Sequence, residues 1–167
     1  MHTIIQRQRK QDGFTLLEVL IALLVLSIGL LGLAALQTVG LRSNQMANTR
    51  TQATQRAYDM SDRMRANQAG VDAQSYIQST TSDVPSVGVN CATATCTAAQ
   101  IVVFDKANWL TEVTRLPGGR GRITRDATGP FVQHTITIFW DEERTGATGT
   151  NCGDDPDVDL RCIQITL

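Results

Sequence analysis

Three features of the chain predict an α+β fold in which one long N-terminal helix lays its second half on a small antiparallel sheet. The first is an uncharged run from Val19 to Leu36, followed by a polar stretch without proline up to Gln68. The second and third are FVQHTITIFW (131–140) and LRCIQITL (160–167), both of which alternate in polarity with the period of a strand. A sheet covered on one face only is expected to be antiparallel.

The helix comes first in the chain and is read in two halves. At about 1.5 Å of rise per residue, Val19 to Leu36 reaches roughly 27 Å, close to a hydrocarbon core of about 30 Å, so this half is expected to span a membrane. Ahead of it Arg7, Arg9 and Lys10 outnumber Asp12, an asymmetry that keeps the N-terminus cytoplasmic and sends everything after Leu36 across the bilayer. Ser27, Gly29 and Gly32 offer small surfaces for helix packing or local flexibility. Beyond Gln37 the apolar or small residues Met46, Ala53, Ala57, Met60 and Met64 recur at spacings of 7, 4, 3 and 4, the stripe of a helix with one buried face. Gly70 is the expected stop, giving a helix of about 55 residues and roughly 80 Å.

Residues 71–100, with Pro85, read as a linking region holding one short element around Tyr76 and Ile77. IVVF (101–104) reads as a short buried strand by its β-branched content. Asp105 is then placed to cap a helix from Lys106 to Leu116, with Trp109, Leu110, Val113 and Leu116 on one face and Pro117, Gly118 and Gly119 ending it. GRITR (121–125) is the next strand. In 131–140 the alternation sets His134, Ile136, Ile138 and Trp140 on one face and Thr135 and Thr137 on the other. In the last segment Ile163, Ile165 and Leu167 oppose Leu160, Cys162, Gln164 and Thr166, and this strand is expected to pair beside 131–140.

Composition excludes several classes of function. The chain carries a net charge of -1. Loss of residues 1–13 would remove three basic residues and one acid and bring it to about -3, so nucleic acid is not an expected general partner. No GxSxG, HExxH or phosphate loop is present, and no enzyme and no cofactor are expected. His2 lies in the basic leader, and His134 reads as a histidine at the core's edge rather than a catalytic base. Cys91, Cys96, Cys152 and Cys162 all fall in the half expected to be exported, where disulfides are favoured. Four cysteines permit three pairings; Cys91 with Cys96 and Cys152 with Cys162 close the shortest loops, and the absence of a CxxC knuckle argues against a zinc site.

The unusual residue is Glu18, an acid at the edge of the apolar run. A carboxylate costs about 2.5–3.5 kcal/mol at a bilayer centre and less near the interface, and such groups are commonly paired and functional. Nothing basic lies three or four residues from it, where Phe14, Thr15, Ile21 and Ala22 stand. A cut between Gly13 and Phe14 would create an α-amino group able to neutralise the Glu18 of a neighbouring copy.

The string Gly13-Phe14-Thr15-Leu16-Leu17-Glu18, after a short basic leader and before an apolar helix, resembles the class III signal of type IV pilins and pseudopilins. The resemblance implies that a prepilin peptidase cuts after Gly13 and methylates Phe14, and that Glu18 aligns subunits during assembly. With DMSDRMRAN, DKANWLTEVTRLPGGRGRIT and TITIFWDEE, the chain is most similar to PilV-type minor pilins, the type IV pilus modification proteins. That similarity implies a leader at 1–13, a transmembrane and assembly helix at 14–36, an amphipathic continuation at 37–69 and a periplasmic domain at 70–167. It implies a single-pass inner-membrane protein that then joins the pilus fibre at its tip. Its partners would be other minor pilins, the major pilin, a tip adhesin, the prepilin peptidase and membrane lipid. A minor pseudopilin of type II secretion and a DNA-binding minor pilin are the alternatives.

Two further clusters qualify as candidate sites. Arg115, Arg120, Arg122 and Arg125 surround a glycine turn and could meet phosphates of DNA or an acidic partner, although a solvated loop and sheet edge blunted by charge is the simpler account. Asp155, Asp157 and Asp159 supply the first half of a calcium loop, but Leu160 stands where its glycine belongs and Thr166 where its bidentate glutamate belongs.

Overall fold

The computed structural model describes residues 13–153 and 155–167, so the expected leader, apart from Gly13, lies outside it, as does Asp154. Contacts divide the chain into two units, one ending at Asn44 and one running from Gln45 to Leu167.

In the first unit, the initial part of helix α1 (Leu16–Ala66) leaves every described residue exposed. Its leucines include Leu24 at 61% and Leu31 at 71% exposure, so the apolar side chains have no cover from their own unit. Among the described residues α1 alone is long and apolar enough to cross a bilayer.

The second unit is α+β. After α1 come α2 (Gln68–Asp72), β1 (Gln78–Thr81), α3 (Ala98–Val113), β2 (Arg120–Asp126), β3 (Gln133–Trp140) and β4 (Arg161–Thr166). The four strands form one antiparallel sheet in the order β1-β2-β3-β4. Residues 53–64 of α1 bury Ala53, Ala57, Met60 and Met64, the stripe expected from the spacing. Against them pack Trp109, Leu110 and Val113 of α3 and Ile123, Ile136, Ile138 and Trp140 of the sheet. Ile163, Ile165 and Leu167 close the same side, as the alternation of the last segment requires. The indole of Trp109 is fully buried, and its Nε1 donates to the carbonyl of Arg56 at 2.9 Å, tying α3 to α1. A Cβ at position 121 would overlap that ring, so only glycine lets β2 pass beneath the indole.

The other face of the sheet carries a smaller core of Phe139, Ala147 and Leu160, with Cys152 and Cys162 packed on it. Disulfides join Cys91 to Cys96 and Cys152 to Cys162, with Cα separations of 5.6 and 5.3 Å. Both are the short-loop pairings.

Four expectations are corrected. IVVF is not a strand: residues 101–104 lie inside α3, with Val102 buried and Val103 exposed. Thr97 starts that helix through a capping box, its Oγ1 accepting from the N–H of Gln100 and the Gln100 side chain accepting from the N–H of Thr97. Asp105 therefore does not cap a helix; it sits buried inside one, and the helix ends at Val113 rather than Leu116. Gly70 is not a stop. Asn67 separates α1 from α2, and Gly70 lies within α2, where a Cβ would come within 2.6 Å of Val102 Cγ2 and 3.0 Å of Tyr76 Cε2. Close packing, not backbone conformation, requires glycine there. The short element expected around Tyr76 and Ile77 is β1, which begins just beyond them at Gln78.

Candidate functional site

The start of α1 brings together the residues that the motif singles out. Thr15 precedes the helix, and its carbonyl and Oγ1 both accept from the N–H of Glu18, at 3.1 and 3.3 Å. Thr15 thereby satisfies an N–H that the first helical turn leaves free. Thr15-x-x-Glu18 also has the sequence spacing of a capping box, of which the structure shows the Thr15 half. A carboxylate in the first turn lies at the positive end of the helix dipole. That favours Glu18 only in part, because the dipole offers about half a charge. Among the described residues Glu18 forms no ion pair.

Phe14 is 84% exposed, and a Cβ at Gly13 would meet nothing within 4 Å. Further along, the hydroxyls of Ser27 and Thr38 donate to the carbonyls of Leu23 and Ala34, at 2.7 and 3.0 Å. These polar groups are satisfied inside the helix and do not oppose an apolar environment. Neither Gly29, Gly32 nor Gly40 has a neighbour that a methyl group would touch.

The four arginines do not converge on one surface. Arg115 pairs with Glu112 at 2.9 Å, and Arg120 donates to the carbonyl of Thr148 at 3.4 Å. Arg122 lies over the Phe139 ring, 4.9 Å from its centroid, against the smaller core. Arg125 belongs to the other face of β2, directly opposite His134 of β3. Of the three aspartates, Asp155 accepts from the N–H of Asp157 at 3.0 Å, while Asp159 receives a long hydrogen bond from Asn151 at 3.4 Å. Among the described residues no three His, Cys, Asp or Glu side chains are grouped as metal ligands.

A buried polar network that the sequence did not announce ties α1 to α3. Tyr76 Oη donates to Asp105 Oδ2 at 2.6 Å, Arg63 donates to Asp105 Oδ1 at 3.1 Å and to Asp59 at 3.0 Å, and Asn67 donates to the carbonyl of Ala98 at 2.9 Å. Burial and the Asp105 carboxylate push the Tyr76 hydroxyl well above its ordinary pKa. Burial works against the charge on Arg63, but its hydrogen bonds to Asp59 and Asp105 prevail and the pKa rises. The fixed charge and the neutral phenol give this network a structural role: it holds the end of α1 against α3.

Comparison with known families gives two matches, which together cover residues 8–107. Residues 8–34 match the family model of the prokaryotic N-terminal methylation motif, and residues 35–107 match that of type IV pilin Tt1218. No curated protein and no solved structure shows a significant match to the chain.

Proposed function

Because the chain is a member of the type IV pilin superfamily, whose members are structural subunits of pilus or pseudopilus systems, we propose that it is a minor pilin. Pilins are cleaved by a prepilin peptidase and assemble with other pilins, and the motif and apolar helix of this chain fit a membrane-anchored pilin. In our reading the protein waits in the inner membrane with residues 70–167 in the periplasm. It is cut after Gly13 and methylated on Phe14, and it then enters a helical bundle with other minor pilins and the major pilin. A PilV-type role in priming the fibre, or at its tip beside an adhesin, follows from the sequence similarity already described.

One observation carries this reading. Exposed Phe14, and Glu18, unpaired among the described residues, stand at the head of a helix that its own unit leaves uncovered. The α-amino group freed at Phe14 in one copy can neutralise Glu18 in the next, so burying the helices and pairing the charges occur in one step.

The test is substitution at both residues. Glu18→Ala is expected to insert and be cut normally but to drop out of sheared fibres; incorporation at the level of the parent chain would contradict the pairing. Gly13→Leu is expected to leave only the unprocessed species by mass spectrometry, and a product of mature size would remove the site. A minor pseudopilin of a type II secretion system is the second reading, supported by the same helix. A deletion strain that loses secretion but keeps twitching would select it.

A further inference from the structure

The sheet has two outer strands, β1 and β4, and the chain treats them differently. An outer strand offers a row of unpaired N–H and C=O groups, which proteins commonly close off by shortness, irregularity, proline or lysine. β1 has all four: it is four residues long, its register against β2 shifts between Gln78 and Thr81, and Pro85 follows shortly after it. On its approach Lys106 Nζ donates to the carbonyls of Ser75 and Ile77, at 3.2 and 3.4 Å. β4 has none of these. Residues 161–166 hold six unbroken pairs with β3 and contain no proline, lysine or acid. The one charged side chain, Arg161, stands at the start of the strand and is engaged by Glu142 and the carbonyl of Gly153.

The register shows which backbone groups of β4 remain open. Leu167 directs both its N–H and its C=O to His134. With a strand's period of two, Arg161, Ile163 and Ile165 do the same toward β3, and Cys162, Gln164 and Thr166 point their backbone groups away from it. Among the described residues no backbone hydrogen bond joins these three to another segment. The side chains of Gln164 and Thr166 are exposed, and Ile163 and Ile165 are only partly covered by the core.

This pattern restricts the occupant. Donors and acceptors that recur every second residue, about 6.8 Å apart, are matched along their length by another extended backbone. The incomplete cover of Ile163 and Ile165 asks for apolar side chains on the α1 side of that backbone, and Gln164 and Thr166 for polar ones on the other. A second copy offering its own β4 does not meet the requirement. Pairing the two strands antiparallel places a two-fold axis normal to the sheet, which reverses whatever lies along the sheet face. Residues 53–64 of α1 pack on that face, so the two α1 helices would run in opposite directions, whereas copies inserted in one membrane share a direction.

We propose that β4 accepts a fifth, antiparallel strand, an extended segment of a partner protein that alternates apolar residues beside Ile163 and Ile165 with polar residues beside Gln164 and Thr166. The proposal does not rest on the minor-pilin reading, which is tested by incorporation of the α1 variants into fibres.

The experiment uses the full processed chain in detergent, with NMR detection of the β4 amides during titration by acetyl-Lys-Thr-Ile-Thr-Ile-Thr-Glu-amide. Two forms of the peptide are compared. Methylation of the isoleucine nitrogens blocks only donors that would face away from β4, and methylation of the threonine nitrogens blocks those that would face it. At millimolar concentration the first form is expected to shift the amides of Cys162, Gln164 and Thr166 and slow their exchange with solvent, and the second to bind more than tenfold more weakly, as loss of several hydrogen bonds implies. Gln164→Pro removes an outward N–H that β3 does not use and should weaken the response to the first form by at least tenfold, with protected Ile163 and Ile165 amides showing that the strand is still in place. Equal response to the two peptides, shifts centred away from β4, no response to either, or shifts of the same amides on raising the concentration of the chain alone would overturn the proposal.

Discussion

Residues 13–44 and residues 45–167 treat the same apolar side chains in opposite ways. Leu24 is 61% exposed on α1, whereas Leu110 on α3 is fully buried between helix and sheet. The first region is apolar all round its helix, so no single face can be assigned to a core and its cover must come from outside. In the second, the same helix restricts Ala53, Ala57, Met60 and Met64 to one stripe and its own sheet covers them. A long helix can therefore serve assembly in one half and folding in the other, provided its hydrophobic period changes along its length.

The contrast is broken most directly at the two cores. Trp109→Ala should destabilise the second unit by about 3–5 kcal/mol in urea unfolding followed by near-ultraviolet circular dichroism. Leu24→Ala should change the same transition by less than about 0.5 kcal/mol, as for an exposed position. Similar losses from both would mean that the regions do not fold as separately as their burial implies. Next in size is the network between α1 and α3. Asp105→Ala, which strands the Tyr76 hydroxyl and removes one Arg63 partner, should cost about 2 kcal/mol. Asp62→Ala, which breaks only an exposed pair, should fall within about 0.5 kcal/mol of the parent.

A smaller effect is expected from pH. The folded state holds the His134 pKa below its ordinary 6.5, so the unfolded chain binds more protons in that window. This contribution is fully present above 6.5 and is lost as pH falls from there toward the lowered folded value. His134→Gln should flatten the dependence of stability on pH over that interval; an unchanged slope would show that another group sets it. The smallest change is Gln74→Gly, which removes the left-handed strain but adds freedom to the unfolded chain and should stabilise by roughly 0.5 kcal/mol. A loss of stability on thermal unfolding would mean that the Gln74 side chain contributes more than its backbone costs.

Much of the architecture was legible because it rests on period. The seven-four-three-four stripe located the buried face of α1, and two alternating segments gave β3, β4 and their pairing. Glu18 stood out as an acid at the edge of an apolar run. Short apolar runs were less decisive. Ile101 to Phe104 are suited to a strand, yet the capping box of Thr97 and Gln100 starts a helix four residues earlier and carries them into it. That signal was present in the sequence and was outweighed by β-branched content. The buried network was not legible, because Arg63, Tyr76 and Asp105 are brought together only by the fold. Within the candidate cluster of Arg115, Arg120, Arg122 and Arg125, Arg120 and Arg122 share one face of β2 and Arg125 takes the other, because faces alternate along a strand.

The Cys152–Cys162 bond anchors the beginning of β4 to the loop before it, and β4 is an outermost strand paired on one side only. Just past the far end of that strand, Leu167 exchanges two backbone hydrogen bonds with His134, at 3.1 and 2.8 Å. Protein matured without an oxidant would thus hold this outer strand only by its pairing with β3 and its packing on the core, and fraying would begin at its first residue.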